Sequence, residues 1–248
     1  MITKMEKPIS ILTSMCDNTS KMSIPSIFSL FMDIATEHAP QIGVGFYDLS
    51  KRGLFWITVK TKIKIFKLPK IIDEVTAATW PETPGRVRCN RYYTISKDGE
   101  ILVTGKSEWA VISLNDGRLH KLSEINPEGL EYSKDIVCDE PYAHISEDFS
   151  DCEILGRYKV RSTDIDLGQH MNNAAYIKAL FGMFSCKELE DMNICEADIA
   201  FRTPCYEGDE LTVRCRKDDN ALEIGMLKSD GKAAATARLV TKATNENK

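Results

Sequence analysis

The stretch 23–43, SIPSIFSLFMDIATEHAPQIG, gives the clearest fold signal in this chain of 248 residues. Ser23 can cap a helix, and Pro25 is tolerated in the first turn because its missing N–H is not needed there. Apolar residues then recur at helical spacing, at Ile24, Ile27, Phe28, Phe31, Ile34 and Ala35. This spacing predicts an α-helix that is buried nearly all round. Pro40 and Gly43 should end it.

Strand-like segments and hairpin turns follow the predicted helix. The segments lie at 54–68, 73–81, 86–96 and 100–114. Asp-Gly pairs, which are typical of hairpin turns, stand at 98–99 and 116–117. The second half repeats this order, with a strand-like segment at 154–163, a helix over about 172–189 and an Asp-Gly turn at 230–231. Landmarks repeated in the same order favour an internal duplication.

Both halves predict the same kind of unit, one long helix wrapped by a mostly antiparallel sheet, which is the α+β class. We predict an N-terminal unit at 1–122, a connector at 123–151 and a C-terminal unit at 152–248. The connector region is acidic, since residues 121–151 carry two lysines against nine acidic residues. Such a charge run, with prolines and no clean period, is typical of an exposed linker.

The composition excludes several classes of protein. Hydrophobic residues make up 43% and charged residues 28%, which fits a globular protein and not a disordered or collagen-like chain. No apolar run reaches the roughly 18 residues that span a membrane, and the N-terminus lacks the apolar stretch of a secretory signal. The net charge of −5 argues against nucleic acid as a partner. Eight cysteines without a CxxC pair indicate reduced thiols, so we expect a cytoplasmic protein without a metal site.

The richest polar stretch is 162–176, STDIDLGQHMNNAAY, at the junction between a predicted strand and the second helix. The unpaired N–H groups at a helix start, helped by the helix dipole, can hold an anion or an oxyanion. His170 stands just before that start and could hold a water molecule or polarise a carbonyl. The alternative is structural: Asn172 or Asn173 caps the helix while His170 and Asp166 pair locally. The residues alone leave both interpretations open.

The first half lacks such a polar cluster when the two predicted helices are set in register. That register places Met22 opposite His170, an offset of 148 residues (170 − 22). We therefore expect the site in the C-terminal unit only.

The segment 163–177, TDIDLGQHMNNAAYI, resembles the catalytic segment of the acyl-acyl-carrier-protein thioesterases, which reads D-x-D-x-N-x-H-x-N-N-x-x-Y. The first half resembles the same family in SLFMDIATEHAPQIGVG, GLFWITVKTKIKIFKLPK, VTAATWP and GKSEWAVISL, in that order. The resemblance implies a tandem double hotdog fold. It also implies hydrolysis of fatty acyl thioesters held on acyl carrier protein (ACP), which releases free fatty acid and ends chain elongation. It implies no cofactor.

The family's catalytic residues carry over only in part. Asp166 matches the family aspartate, His170 its histidine, and Asn172 the asparagine after that histidine. Gly168 replaces the family asparagine between the aspartate and the histidine. We expect His170 to position or deprotonate water while Asp166 orients the imidazole. Asn172 and the helix N–H groups should hold the thioester carbonyl.

The family's proposed general base has no counterpart here. Aligned on the Gly-Asp pair at 208–209, Pro204 falls where the family has that glutamate. Its loss should slow hydrolysis by about 10²–10⁴ without abolishing it, since a thiolate leaves readily. Glu196 and Glu207 are candidate replacements, although each is favoured as a solvent-facing charge. Cys205 matches a cysteine of the plant enzymes and could act as a nucleophile, but packing is the favoured interpretation.

Lys60, Lys62 and Lys64 alternate with apolar residues along the segment 54–68. A sheet with one wet face explains the alternation and is favoured. The functional alternative is a docking stripe for the acidic carrier protein, because charges at the rim of an interface speed encounter.

Other functions and residues stay open at this point. One rival function is an acyl-CoA thioesterase on the same fold. Another is a catalytically degenerate homologue that binds acyl chains or ACP, suggested by Gly168 and Pro204. A homodimer is also left open. Asp33, Glu37 and His38 on the first helix resemble the helical acid of single-hotdog thioesterases, but satisfied structural polar groups are favoured.

Overall fold

The computed structural model describes residues 3–242, and the chain divides into two compact units. Unit 1 extends to Glu140, and unit 2 begins at Pro141. The predicted connector, 123–151, is therefore divided between the two units. Most of it has no regular secondary structure, apart from the end of a short 3₁₀ turn at Leu122–Glu124.

The described part of unit 1 contains one long helix and five strands. Its elements are β1 (Met5–Ser10), α1 (Ile24–His38), α2 (Phe46–Ser50), β2 (Leu54–Ile65), β3 (Glu74–Pro81), β4 (Arg88–Lys97) and β5 (Glu100–Ser113). Neighbouring strands pair antiparallel in the order β1-β3-β4-β5-β2. The predicted α+β class is thus confirmed for this unit.

The helix α1 forms as its sequence predicts. The Ser23 hydroxyl accepts a hydrogen bond from the Ser26 N–H at 3.3 Å and caps the first turn. Beyond the helix end, Gly43 adopts a left-handed φ of +75°. The helix packs closely on the sheet, because a Cβ at Gly105 of β5 would lie 2.5 Å from the Phe31 ring.

The strand β1 was not predicted from the sequence. It pairs with β3 from Met5 opposite Thr79 to Ser10 opposite Glu74, and its residues alternate between half-buried and exposed. Pro8 lies within it, and proline is tolerated only where a strand lies at a sheet edge, as β1 does in unit 1. A proline in so short a segment hid the strand signal.

The described part of unit 2 repeats the strand arrangement of unit 1. Its elements are β6 (Glu153–Lys159), α3 (Asn173–Phe181), α4 (Cys186–Met192), β7 (Ile194–Phe201), β8 (Glu210–Asp218), β9 (Ala221–Leu227) and β10 (Ala233–Thr241). The strands pair antiparallel in the order β6-β8-β9-β10-β7. Strand for strand, this is the order of unit 1, as an internal duplication requires.

The second predicted helix, 172–189, is wrong in its extent. The helix α3 starts where predicted but ends at Phe181, and Gly182 is its C-cap. A new helix, α4, then begins because Ser185 and Glu188 form a capping box, with the Ser185 N–H donating to Glu188 Oε2 at 2.7 Å. Apolar spacing continues through the break, so periodicity alone could not find it.

Candidate functional site

A tight loop delivers the polar residues to the start of α3. The Asp166 N–H donates to the His170 carbonyl at 3.1 Å, and the Gln169 N–H donates to the Asp166 carbonyl at 3.0 Å. Gln169 has a left-handed φ of +60°, which closes the turn. The Asp166 carboxylate accepts a hydrogen bond from the Gly168 N–H at 2.7 Å and so stabilises the loop. These bonds bring Asp166, Gly168 and His170 together, as the motif predicts.

The imidazole of His170 is partly exposed and is not hydrogen-bonded to Asp166. Its Nδ1 lies 4.0 Å from Asp166 Oδ1 and 3.4 Å from the Met171 carbonyl oxygen. A proton on Nδ1 would face both oxygens and leave the lone pair on Nε2. At 4.0 Å the carboxylate can still stabilise a positive imidazolium. Its direct hydrogen bond is to the loop backbone, so it orients the loop more than the ring.

Asn172 caps α3, which is the structural alternative that the sequence left open. Its Oδ1 accepts the Ala174 N–H at 2.7 Å. Capping uses only the oxygen, and the Nδ2 amide forms no hydrogen bond to any residue within 3–242. The N–H of Asn173 is likewise without a partner in that range, whereas those of Ala175 and Tyr176 bond to the Asn172 carbonyl. Two adjacent donors therefore remain at the helix start.

The loop between β7 and β8 is tied to this helix start. The Met171 N–H donates to the Cys205 carbonyl at 2.7 Å, and the Cys205 N–H donates to Tyr176 Oη at 3.0 Å. Tyr176 in turn donates to the Thr203 carbonyl at 3.5 Å. Sequence reasoning gave Tyr176 no role, although it is the tyrosine of the quoted family motif. This tether places Cys205 and Pro204 beside the site.

Pro204, which the resemblance aligns with the family glutamate, is exposed. Its carbonyl accepts a hydrogen bond from Lys228 Nζ at 3.1 Å, and Lys228 also pairs with Asp209 at 2.9 Å. The hydrogen bond from the Tyr206 N–H, followed by the one from Lys228, lowers the pKa of Asp209. Lys228 was not found from the sequence, because it reaches the loop from the β9–β10 turn.

Within residues 3–242, the other candidate residues form no hydrogen bond or ion pair with the His170 side chain. Cys205 is fully buried, and burial raises the pKa of its thiol, which disfavours the thiolate that a nucleophile needs. Glu207 is exposed in the turn before β8. Glu196 pairs with Val240 near the start of β7, about 16 Å along the strand from its end. Neither carboxylate hydrogen-bonds to His170.

Unit 1 contains the same loop, which corrects the predicted register. The Asp17 N–H donates to the Lys21 carbonyl at 2.8 Å, and Ser20 has a φ of +61°. The isolated bridge Cys16–Met22 matches the bridge Ile165–Met171. The offset is therefore 149 (171 − 22), so Lys21, not Met22, corresponds to His170. Asp17 and Thr19 correspond to Asp166 and Gly168, so the first half does keep a polar loop and lacks the imidazole.

The lysines of β2 do not form one exposed stripe. Lys62 is only 4% exposed, and Lys64 forms an ion pair with Glu140. Lys60 is half-buried. The register with β5 is continuous from Lys60 to Lys64, so the three lysines share one face of the sheet. The chain near Glu140 lies against this face, because Lys64 pairs with the Glu140 carboxylate and Lys106, opposite Lys62, donates to the Glu140 carbonyl.

Models of a known thioesterase family match nearly the whole chain. The N-terminal domain of the acyl-ACP thioesterases matches residues 3–128, and the C-terminal domain of the same family matches residues 147–242. The chain belongs to the acyl-ACP thioesterase family. The resemblance noted in the sequence is thereby confirmed.

Curated members of the acyl-ACP thioesterase family are similar to the chain at moderate identity. A chloroplastic acyl-[acyl-carrier-protein] hydrolase of Cuphea viscosissima is 27% identical over 76% of this chain and 49% of its own length. A chloroplastic oleoyl-acyl carrier protein thioesterase of Arabidopsis thaliana is 26% identical over 75% of this chain and 56% of its own length. The chain thus spans about half the length of the curated relatives it matches.

Solved structures of the acyl-ACP thioesterase family share the fold. The 12:0-ACP thioesterase from Umbellularia californica has a TM-score of 0.83 at 19% identity, over 97% of both chains. An acyl-ACP thioesterase from Bacteroides thetaiotaomicron has a TM-score of 0.82 at 18% identity, over 97% of this chain and 98% of its own. The predicted double hotdog fold is confirmed.

Residues 3–242 contain neither a helix suited to cross a membrane nor a metal-binding group of side chains. No helix in this range combines the length and the apolar character that crossing a membrane requires. No three His, Cys, Asp or Glu side chains there are grouped so that they could hold a metal ion.

Proposed function

We propose that the chain hydrolyses fatty acyl thioesters carried on ACP, which releases free fatty acid and ends chain elongation. Membership of the acyl-ACP thioesterase family supports this reaction, as do the names of the relatives from Cuphea viscosissima and Arabidopsis thaliana. One observation in the structure carries the proposal. The loop that carries His170 leads directly into α3, whose first two donors, Asn172 Nδ2 and the Asn173 N–H, have no partner among residues 3–242.

The two donors suit a thioester carbonyl. When water attacks that carbonyl, its oxygen becomes negative, and hydrogen-bond donors placed in advance stabilise that charge. The dipole of α3 adds to the stabilisation, because its positive end lies at the same point. Asn172 therefore has two roles, with its oxygen capping the helix and its amide nitrogen facing the substrate.

The imidazole of His170 would act as the general base. With a proton on Nδ1, facing the Met171 carbonyl, Nε2 accepts the proton of the attacking water. Asp166, 4.0 Å from Nδ1, stabilises the imidazolium that forms. Collapse of the tetrahedral intermediate breaks the carbon–sulfur bond. The pantetheine thiolate leaves with the bonding electron pair and takes the proton from His170, so the products are a fatty acid and a thiol.

The partner and the location of the chain are also proposals. The partner is ACP bearing a phosphopantetheine-linked acyl chain, and Lys60 and Lys64 remain the proposed docking residues. Lys62 is no longer proposed as a docking residue, because its side chain is buried. All eight cysteines are free, which supports a reducing compartment such as the cytoplasm. A homodimer stays a prediction.

Single-turnover hydrolysis of a panel of acyl-ACP substrates tests the proposal. His170→Ala should lower the rate by about 10²–10⁴, which is the usual contribution of a general base. Lys21→Ala is the matched control, since Lys21 holds the same loop position in unit 1, and it should keep the wild-type rate. Acyl-CoA substrates of equal chain length should react more slowly than acyl-ACP.

Each outcome separates the proposal from a rival. A wild-type rate in His170→Ala would remove His170 from the site. Binding of acyl-ACP by wild type without any turnover would favour the degenerate homologue. Faster reaction of acyl-CoA than of acyl-ACP would favour the acyl-CoA thioesterase.

A further inference from the structure

The imidazole of His170 lies directly against Gly168. A Cβ atom on residue 168 would be 2.8 Å from His170 Nε2 and 3.2 Å from its Cε1. The same Cβ would be 3.1 Å from Asp166 Oδ1. The first distance is too short for any real Cβ contact, because close-packed atoms do not overlap in this way. The ring therefore occupies the space that a side chain at residue 168 would fill.

The backbone does not require glycine at this position. Gly168 is absent from the residues with positive φ, unlike its neighbour Gln169 at +60°. Residues other than glycine adopt negative φ without strain. A side chain at residue 168 would thus meet the His170 ring and the Asp166 carboxylate, and the ring would have to move.

The matching loop of unit 1 shows that a side chain is compatible with this turn. Thr19 stands where unit 2 has Gly168, and its N–H donates to Asp17 Oδ1 at 2.8 Å, as Gly168 does to Asp166 at 2.7 Å. The Thr19 hydroxyl also donates to Asp17 Oδ1, at 2.7 Å. Lys21, in the place of His170, is exposed. In the loop of unit 1, the side chain at this position thus contacts the aspartate, and the residue two places on is exposed.

We propose that Gly168 is a positioning residue for His170, because its missing side chain lets the imidazole rest on the loop beside Asp166. This inference rests on the proposed function, in which Nε2 of that ring is the base. A methyl group at residue 168 pushes Nε2 away from the loop. It also increases the distance between the imidazole and the Asp166 carboxylate. Such a shift costs rate because a base displaced by about 1 Å can lose about 10²-fold.

A double-mutant cycle on acyl-ACP hydrolysis tests the inference. Gly168→Ala should lower kcat by about 10- to 100-fold and leave KM near the wild-type value. In the His170→Ala background, the same substitution should have no further effect, because its target is gone. Thr19→Gly, the reverse change in the loop of unit 1, should keep wild-type kcat. Melting temperatures of all variants report whether the loop still folds.

A second measurement does not depend on activity. The chain has four histidines, so the ring resonances of His170 can be assigned by their loss in His170→Ala. Gly168→Ala should shift these resonances and leave those of the other three histidines in place. Gly168→Thr, which copies the loop of unit 1, should shift them at least as far.

The results distinguish a failure of the inference from a failure of the proposed function. If His170→Ala is slow but Gly168→Ala is as fast as wild type or faster, Gly168 has no positioning role. An equal loss in both backgrounds, or unmoved His170 resonances, would overturn the inference as well. If His170→Ala keeps the wild-type rate, the proposed base is wrong, and the resonance shifts alone then decide whether Gly168 places the ring.

Discussion

The buried pair of His38 and Arg91 in unit 1 should make the stability of this unit depend on pH. His38, at the end of α1, is 2% exposed, and its Nδ1 lies 2.9 Å from Arg91 Nη1. The same Nη1 donates to the Thr79 hydroxyl at 3.2 Å. Burial, followed by the positive charge of Arg91, lowers the pKa of His38 from 6.5 to about 4. The imidazole is therefore neutral at pH 7 and accepts a hydrogen bond from the guanidinium.

The lowered pKa of His38 fixes the direction and size of the effect. Between pH 6.5 and 4 the unfolded chain binds a proton at His38 that the folded chain does not, so stability falls as the pH falls. The contribution is complete above pH 6.5 and is lost down to about pH 4. With each pKa unit equivalent to about 1.4 kcal/mol, the folded protein should lose about 3 kcal/mol at pH 4 through this residue.

The variant His38→Gln isolates this contribution. Glutamine keeps an oxygen that can accept from Arg91, but it does not titrate. Urea unfolding of both proteins, followed by tryptophan fluorescence from pH 7.5 to pH 4, gives the comparison. All three tryptophans lie in unit 1, at Trp56, Trp80 and Trp109, so the signal reports on this unit.

The expected result is a difference that changes with pH. The free energy of unfolding of wild type minus that of His38→Gln should decrease by about 3 kcal/mol between pH 7.5 and pH 4. His144→Gln, which removes an exposed imidazole, is the matched control and should follow wild type throughout. A constant difference between wild type and His38→Gln would refute the reasoning, because His38 would then bind protons equally in both states.

The Tyr176 tether and the buried thiol give two further predictions. Tyr176→Phe removes the acceptor 3.0 Å from the Cys205 N–H and should cost about 1–3 kcal/mol, because a buried donor is left unpaired. A urea midpoint equal to that of wild type would contradict it. Iodoacetamide should alkylate exposed Cys186 in the native protein and Cys205 only after unfolding, since burial raises the pKa of the Cys205 thiol. Peptide mass spectrometry measures the alkylation rates of the two cysteines. Equal rates in the native protein would show that the Cys205 thiol is not protected by burial.

The sequence alone predicted the helices and turns that depend on interactions between neighbouring residues. Ser23 and the apolar spacing after it predicted α1, because a cap and a helical stripe act within a few turns. The Asp-Gly pair at 98–99 predicted its turn because both residues adopt positive φ there, +51° and +83°. The order of strands and turns in the two halves likewise indicated a repeat. The motif at 163–177 indicated which loop holds the candidate site.

The roles of individual side chains in the site required the tertiary structure. The motif placed Asp166, Gly168 and His170 in one loop, but it could not show that Asp166 bonds to the loop backbone and not to the imidazole. It named Asn172 without showing that the oxygen caps α3 while the amide nitrogen stays available. These outcomes depend on side-chain rotation within a folded loop, which residue spacing does not encode.

By itself, the sequence determined the fold class, the duplication, the family resemblance and the loop that carries the polar residues. Only the tertiary structure decided that Pro8 belongs to a strand, that Lys62 is buried, and that the unit 1 loop aligns Lys21 with His170. The physical reason is the range of the interactions. Helix caps and turns involve neighbouring residues, whereas strand pairing, burial and the contact of an imidazole with a glycine depend on how the whole unit packs.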